Sequence, residues 1–210
     1  MAISKNDIIK VNGIIIGTFD FKELDKVVEI LTDELGRINA FAFSSRSPKS
    51  SKLASTRLFC TGIFELTKND DKYSLISVDV KNYYEDLVKE YDKFCIATDF
   101  AKLIKKFTYE NMDCKRELAL ICYAISALLN DNLSSNIVEK IFEIKLSEIA
   151  GINEPAPSIV SKINAKNSKN LIDLIDYIYK LPISNLFSFT LDGTLYEDFM
   201  KIKVDLNNNI

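Results

Sequence analysis

The chain contains no histidine. That absence narrows the chemistry at once, because histidine is the usual general base at neutral pH. Ser-His and Cys-His nucleophilic mechanisms are excluded, and only carboxylate or lysine catalysis stays open in principle. Cysteine is scarce as well: Cys60, Cys95, Cys114 and Cys122 are the only four, and no two form a CxxC pair. Zinc needs about four close nitrogen or sulfur ligands. A site built from these four would have to join a strand to three scattered helical positions. Cys95 and Cys122 sit on apolar helical stripes, where cysteine is simply a small buried residue. No metal, no cofactor and no disulfide framework are expected. Long apolar runs are missing too. None approaches the roughly 20 residues that span a bilayer, and the N-terminal stretch MAISKNDIIKVNG has no apolar core of signal-peptide length. The expectation is a soluble, cytoplasmic protein with no membrane partner.

What is present is ordinary globular material. Of 210 residues, 47% are hydrophobic and 27% charged, a balance far from disorder. A chain of this length buries enough apolar surface to fold without staples. Residues 1–80 read as β structure. Residues 8–11 and 14–16 are rich in branched side chains and are split by Asn12-Gly13, which reads as a turn or bulge. Residues 27–32 lead through Asp33-Glu34-Leu35-Gly36 into residues 37–43. Leu24, Val27, Val28 and Leu31 also fit helical spacing, but the branched residues, the Gly36 turn and the strand after it favour a hairpin. Residues 58–66 and 73–80 follow, joined by the polar turn at residues 67–72. Five strands in about 80 residues, with no long helices between them, suit a small barrel better than a parallel sheet.

Near Asn82 the period changes to helical. Tyr84, Leu87, Tyr91, Phe94, Ala101, Ile104 and Phe107 recur mostly at three- and four-residue steps. A second helix carries Leu118, Ile121, Cys122, Ile125 and Leu128. A third carries Val138, Ile141, Phe142, Leu146 and Ile149, with Asn136 and Glu139 as a capping box. Gly151 is its stop signal, with Pro155 and Pro157 beyond. Residues 156–170 read as a polar link, residues 171–180 and 195–206 as two further helices, and residues 207–210 as a frayed tail. The fold class is α+β: a barrel domain over residues 1–80 and an all-helical domain over residues 81–210.

The chain is slightly acidic, with formal net charge -3. Yet residues 35–64 hold Arg37, Arg46, Lys49, Lys52 and Arg57 and no acid at all. Residues 81–210, in contrast, hold 16 basic and 19 acidic side chains. Lysine and arginine neutralise phosphates and release counterions. Ser44, Ser45, Ser47, Ser50 and Ser51 are small hydroxyl donors for phosphate oxygens. A loop between barrel strands is a usual grip for a single strand. Phe41 and Phe43 fall on the face opposite Ile38, Ala40 and Ala42. One face fills the barrel, and the other could offer a stacking platform. The plainer reading of the loop is a solvated, mobile connection. A second group of cations, Lys102, Lys105 and Lys106, lies on the first helix.

The order of these pieces resembles the RecO family of bacterial recombination mediators. In residues 24–50, LDKVVEILTDELGRINAFAFSSRSPKS, a Thr-x-x-x-Gly turn leads into a basic Arg-x-Pro-Lys-Ser loop; the positions are Thr32, Gly36, Arg46, Pro48, Lys49 and Ser50. Residues 141–157, IFEIKLSEIAGINEPAP, are similar to the family's Phe-Glu-x-x-Leu helix with its Gly and Pro stop: Phe142, Glu143, Leu146, Gly151 and Pro155. The resemblance implies an N-terminal five-stranded OB-fold barrel followed by an all-helical domain. The DNA-binding residues expected from the loop's charge are Arg37, Arg46, Lys49, Ser50, Lys52 and Arg57, with Phe41 and Phe43 as candidates for base stacking. The resemblance also implies a non-enzymatic role in DNA repair and recombination: binding single- and double-stranded DNA, annealing complementary strands, and helping RecR load RecA on strands coated by single-strand-binding protein, whose acidic C-terminal tail is a further partner. Many relatives carry a four-cysteine zinc site after the Gly-Pro stop. This chain has no cysteine beyond Cys122 and a less basic loop, which implies a divergent member with weaker DNA affinity on its own.

Two other classes fit less well. A helical adaptor would use the basic loop on an acidic protein tail, with little DNA binding of its own. A carboxylate enzyme would need Asp70-Asp71 or Glu197-Asp198, but adjacent residues do not converge on one side of a strand or helix.

Overall fold

A computed structural model describes residues 8–189, 191 and 193–206. The N-terminal residues 1–7 and the tail at 207–210, read above as frayed, lie outside the described residues. Five strands come first: β1 (Ile9–Phe21), β2 (Asp25–Thr32), β3 (Arg37–Ala42), β4 (Thr61–Asn69) and β5 (Lys72–Asn82). They close in the order β1-β2-β3-β5-β4, with β4 returning to β1. All neighbours are antiparallel except β3 and β5, which meet at Ala40–Tyr73 and Phe41–Ser74. The interior is filled by Val11, Ile15, Val28, Ile30, Ile38, Ala40, Ala42, Phe64, Leu66 and Leu75. Alternation along β3 buries Ile38, Ala40 and Ala42 and turns Asn39 and Phe41 outward.

One expectation in β1 is corrected. The strand runs through Asn12-Gly13 without a break, and the register irregularity against β2 falls between Ile15 and Gly17. Gly13 answers crowding rather than a turn. A Cβ there would lie 2.9 Å from Ile30 Cγ2 and 2.9 Å from the Leu31 carbonyl oxygen.

The helices are α1 (Lys52–Ser55), α2 (Tyr91–Phe107), α3 (Lys115–Leu128), α4 (Ser135–Ile149), α5 (Ala156–Ser161), α6 (Ser168–Lys180) and α7 (Gly193–Met200). Helical geometry begins later than the sequence suggests. Tyr84 has a positive φ of 48° and is buried, so a 3-10 turn at Glu85–Lys89 precedes α2. The helix α4 starts two residues earlier than the proposed capping box at Asn136, with Ser134 at the N-cap and no side-chain cap bond. It closes as read: Gly151 N–H donates to Glu148 O and Ile152 N–H to Ser147 O, a Schellman ending. The supposed polar link holds α5, because Ile159 and Val160 are buried and Pro155 starts a helix as readily as it follows one. The last helix spans only Gly193–Met200, and Ile202 and Leu206 are buried without helix.

The chain forms two compact units that interleave. The first comprises the described residues up to Lys89 together with Thr108–Leu118; the second comprises Glu90–Phe107 and the described residues from Ala119 onward. In the first unit, Thr108–Leu118 is stitched to the β2–β3 hairpin. Arg37 N–H donates to Tyr109 O, Asn111 N–H to Leu35 O and Cys114 N–H to Asp33 O. Gly36, at φ 71°, is the turn residue that permits this approach, since a Cβ there would clash with the Tyr109 carbonyl. In the second unit, Phe100 of α2 stacks on Phe142 of α4 with ring centroids 4.0 Å apart. Among the described residues no helix is long and apolar enough to cross a membrane.

Candidate nucleic-acid interface

The acid-free stretch runs out of β3 at Phe43 and returns at β4. Its five cations do not share one fate. Arg37 is drawn into the fold: its guanidinium pairs with Glu29 at 2.7 Å and its Nε donates to Thr108 O at 2.9 Å. Glu29 is only 5% exposed, so Arg37 neutralises a buried carboxylate. Lys52 donates to the Leu75 carbonyl at 2.9 Å, and burial pushes its ammonium below the ordinary lysine range. Arg46 is tied to the β1–β2 turn, with its backbone N–H on Leu24 O and its guanidinium on Asp20 at 3.2 Å and on Lys22 O. That pair is exposed, and its carboxylate is exchangeable for a phosphate. Lys49 and Arg57 are exposed, and among the described residues neither has an ion-pair partner.

The serines divide as well. Ser45 is fully buried and out of reach of a backbone. Ser50 Oγ accepts from the Lys52 N–H, which starts the short helix α1. Ser44, at φ 57°, donates its N–H to Asp25 and bends the chain away from β3. The loop is therefore folded onto the barrel through Asp20, Asp25, Leu24 and Leu75 rather than hanging free, and it presents Lys49 and Arg57 outward.

Phe41 and Phe43 lie outside the barrel. Their rings are parallel within 12° with centroids 6.0 Å apart, and Phe21 meets Phe41 edge-on at 5.3 Å. Phe19 joins the same surface, since Phe19 pairs with Val27 and Val27 with Phe41 across β1, β2 and β3. Lys22 Nζ stands 5.3 Å from the Phe21 ring centroid. Sequence reasoning missed Phe19 and Phe21. Their alternation with Thr18 and Asp20 was the available signal.

Elsewhere the candidates are engaged. Lys102 pairs with Asp99 at 2.7 Å. Asp198 is fully buried and accepts from the Lys166 and Asn167 N–H groups, while Asp70 occupies the β4–β5 turn. Among the described residues no group of three or more His, Cys, Asp or Glu is placed to hold a metal ion, and all four cysteines are free thiols.

A closed five-strand barrel of this strand order, with a basic loop after β3, is an OB-fold domain. The family described as "Recombination protein O N terminal" matches residues 6–84. The chain is similar to the DNA repair protein RecO of Acetivibrio thermocellus, at 25% identity over 92% of this chain and 88% of that protein. It is also similar to RecO of Clostridium novyi, at 30% identity over 69% of this chain and 56% of that protein, and to RecO of Halalkalibacterium halodurans, at 27% over 72% and 59%. The matched stretch thus spans little more than half the length of the last two relatives. The chain belongs to the RecO family.

Proposed function

We propose that the protein is a non-enzymatic mediator of DNA repair and recombination that binds single- and double-stranded DNA and anneals complementary strands. In this reading it works with RecR and with the C-terminal tail of single-strand-binding protein to help load the RecA recombinase. Annealing needs no nucleophile. It requires a surface that neutralises phosphate backbones and leaves base edges free to pair. The observation that carries the reading is the β3–β4 loop, which holds Lys49 and Arg57 in solvent without acidic partners among the described residues and Arg46 on an exchangeable carboxylate. The relatives' shared name supports the repair role.

Three available cations predict a modest salt dependence. With about 0.7 counterions released per single-strand phosphate contact, log affinity falls against log salt with a slope of about -2. The test is binding of a single-stranded oligonucleotide across a salt series by the parent and by the Lys49→Ala/Arg57→Ala variant. The slope of the variant is expected to shrink by about 1.4, with no change in base preference. A folded variant with the parent's affinity and slope would leave the loop a solvated connection. A parent that binds an acidic peptide but no DNA would favour the adaptor instead.

A further inference from the structure

We infer that Phe19, Phe21, Phe41 and Phe43 form a base-stacking strip that makes the barrel favour single-stranded over double-stranded nucleic acid. The inference rests on the DNA-binding reading of the neighbouring loop and adds to it a substrate class. Phe19 is 55% exposed, Phe43 49% and Phe21 37%. Exposed aromatic surface of this extent on one sheet face is uncommon unless something covers it. The barrel does not need these rings, because its interior on β3 is already filled by Ile38, Ala40 and Ala42.

The occupant is argued from what surrounds the strip. Phe43 leads straight into the loop that carries Arg46 and Lys49, and the Arg46 N–H bond to Leu24 O holds that loop beside the β1–β2 turn where Phe21 lies. Lys22 sits over the Phe21 ring itself. Two of the nearby acids are occupied, Asp20 by Arg46 and Asp25 by the Ser44 N–H. Aromatic faces next to cations on an OB-type sheet match an unpaired strand, whose bases expose their faces while its phosphates follow the charge. Phe43, the exposed member of the parallel Phe41–Phe43 pair, offers a ring on which a base can continue the stack. A duplex hides its base faces in its own stack, so it can use only the loop. The loop therefore serves both forms of DNA, and the strip serves one.

The absence of tryptophan from the chain allows a direct probe, since Phe43→Trp creates the sole indole. Its fluorescence is expected to be quenched by oligo(dT) and left unchanged by a blunt duplex of the same length. In binding assays, Phe43→Ala is expected to weaken oligo(dT) at least about fivefold, the lower end of the stacking contribution per base. Duplex affinity should stay within about twofold, and the salt slope should not move, because no phosphate contact is lost. Phe43→Tyr should keep single-strand affinity and Phe43→Leu should not. Phe43 is exposed, so these variants should fold; circular dichroism checks this. Equal losses on both DNA forms, no loss on oligo(dT), or a change in oligomeric state without a change in DNA affinity would each overturn the strip. If Phe43→Ala acts as stated while Lys49→Ala/Arg57→Ala changes nothing, the loop reading fails and the strip stands. A parent that binds neither DNA removes both.

Discussion

Arg37 sits on the acid-free stretch and, by charge alone, looks like a phosphate ligand. Its partners make it a structural residue. Removing it would strand Glu29, 5% exposed, without its counter-charge. Breaking a fully buried pair costs about 3–5 kcal/mol, and because Arg37 is partly open to solvent the loss for Arg37→Ala is expected nearer 2 kcal/mol. Urea unfolding should show that loss, while the salt slope of DNA binding in the folded variant stays at the parent value. A reduced slope with unchanged stability would return Arg37 to the interface. The cysteines give a second residue-level expectation. Burial raises the Cys60 thiol to about 11 and the Cys114 thiol to about 12, so both stay protonated at pH 8. The thiolate is the reactive form. Half-buried Cys95 and Cys122 should therefore react with a thiol reagent in the native protein well before Cys60 and Cys114, as read by mass spectrometry of peptides. Urea should level the four rates.

At the scale of elements, α6 shows how the second unit is assembled. Helix ends leave unpaired N–H and C=O groups, and both ends of α6 are held by side chains from other helices. Buried Asp198 of α7 accepts from the Lys166 and Asn167 N–H groups at its start, and buried Lys145 of α4 donates to Ile178 O and Tyr179 O at its end. The signs suit the helix dipole, negative at the N-terminus and positive at the C-terminus. Lys145→Met would leave those carbonyls unsatisfied and is expected to cost about 1–3 kcal/mol. Asp198 adds a pH dependence. The Lys201 ammonium, helped by the two backbone N–H groups, holds its carboxyl below the ordinary value of 3.8. A depressed carboxylate stabilises the fold above that value, and the contribution is lost as pH falls through the lower folded value. Hydrogen exchange should therefore show α6 opening below about pH 4, with Asp198→Asn removing the acid dependence. None of this was legible in the sequence, where Glu197-Asp198 read only as adjacent acids. Period-two and period-3.6 patterns did reveal β2, β3, β4, β5 and the main helices, because burial imposes them residue by residue. They did not separate Arg37 and Lys52 from Lys49 and Arg57. That division depends on partners 8 and 23 residues away across the barrel. Nor did they reveal α5, whose three buried residues, Ala156, Ile159 and Val160, are too few to make a stripe.

At the scale of the whole molecule, the barrel unit is discontinuous in sequence, and this limits how the protein can be divided. The chain leaves the unit after Lys89, comes back for Thr108–Leu118 and leaves again. A fragment ending at Lys89 keeps all five strands and the loop with Lys49 and Arg57. It loses the partners of four hydrogen bonds on the β2–β3 hairpin: Arg37 N–H and Nε to Tyr109 O and Thr108 O, and the Leu35 and Asp33 carbonyls to the Asn111 and Cys114 N–H groups. At a net 0.5–1.5 kcal/mol each, these bonds contribute about 2–6 kcal/mol, a large share of the roughly 5–15 kcal/mol that holds a typical domain. The fragment is therefore expected to melt well below the full chain and to exchange its Arg37 amide rapidly. At a temperature where it remains folded, its oligo(dT) salt slope should match that of the full chain, because the exposed loop cations and the phenylalanine strip are all retained. A fragment as stable as the parent, with a protected Arg37 amide, would show that Thr108–Leu118 merely lies against the barrel. A folded fragment with a shallower slope would instead place phosphate contacts beyond Lys89, in Thr108–Leu118 or in the helical unit.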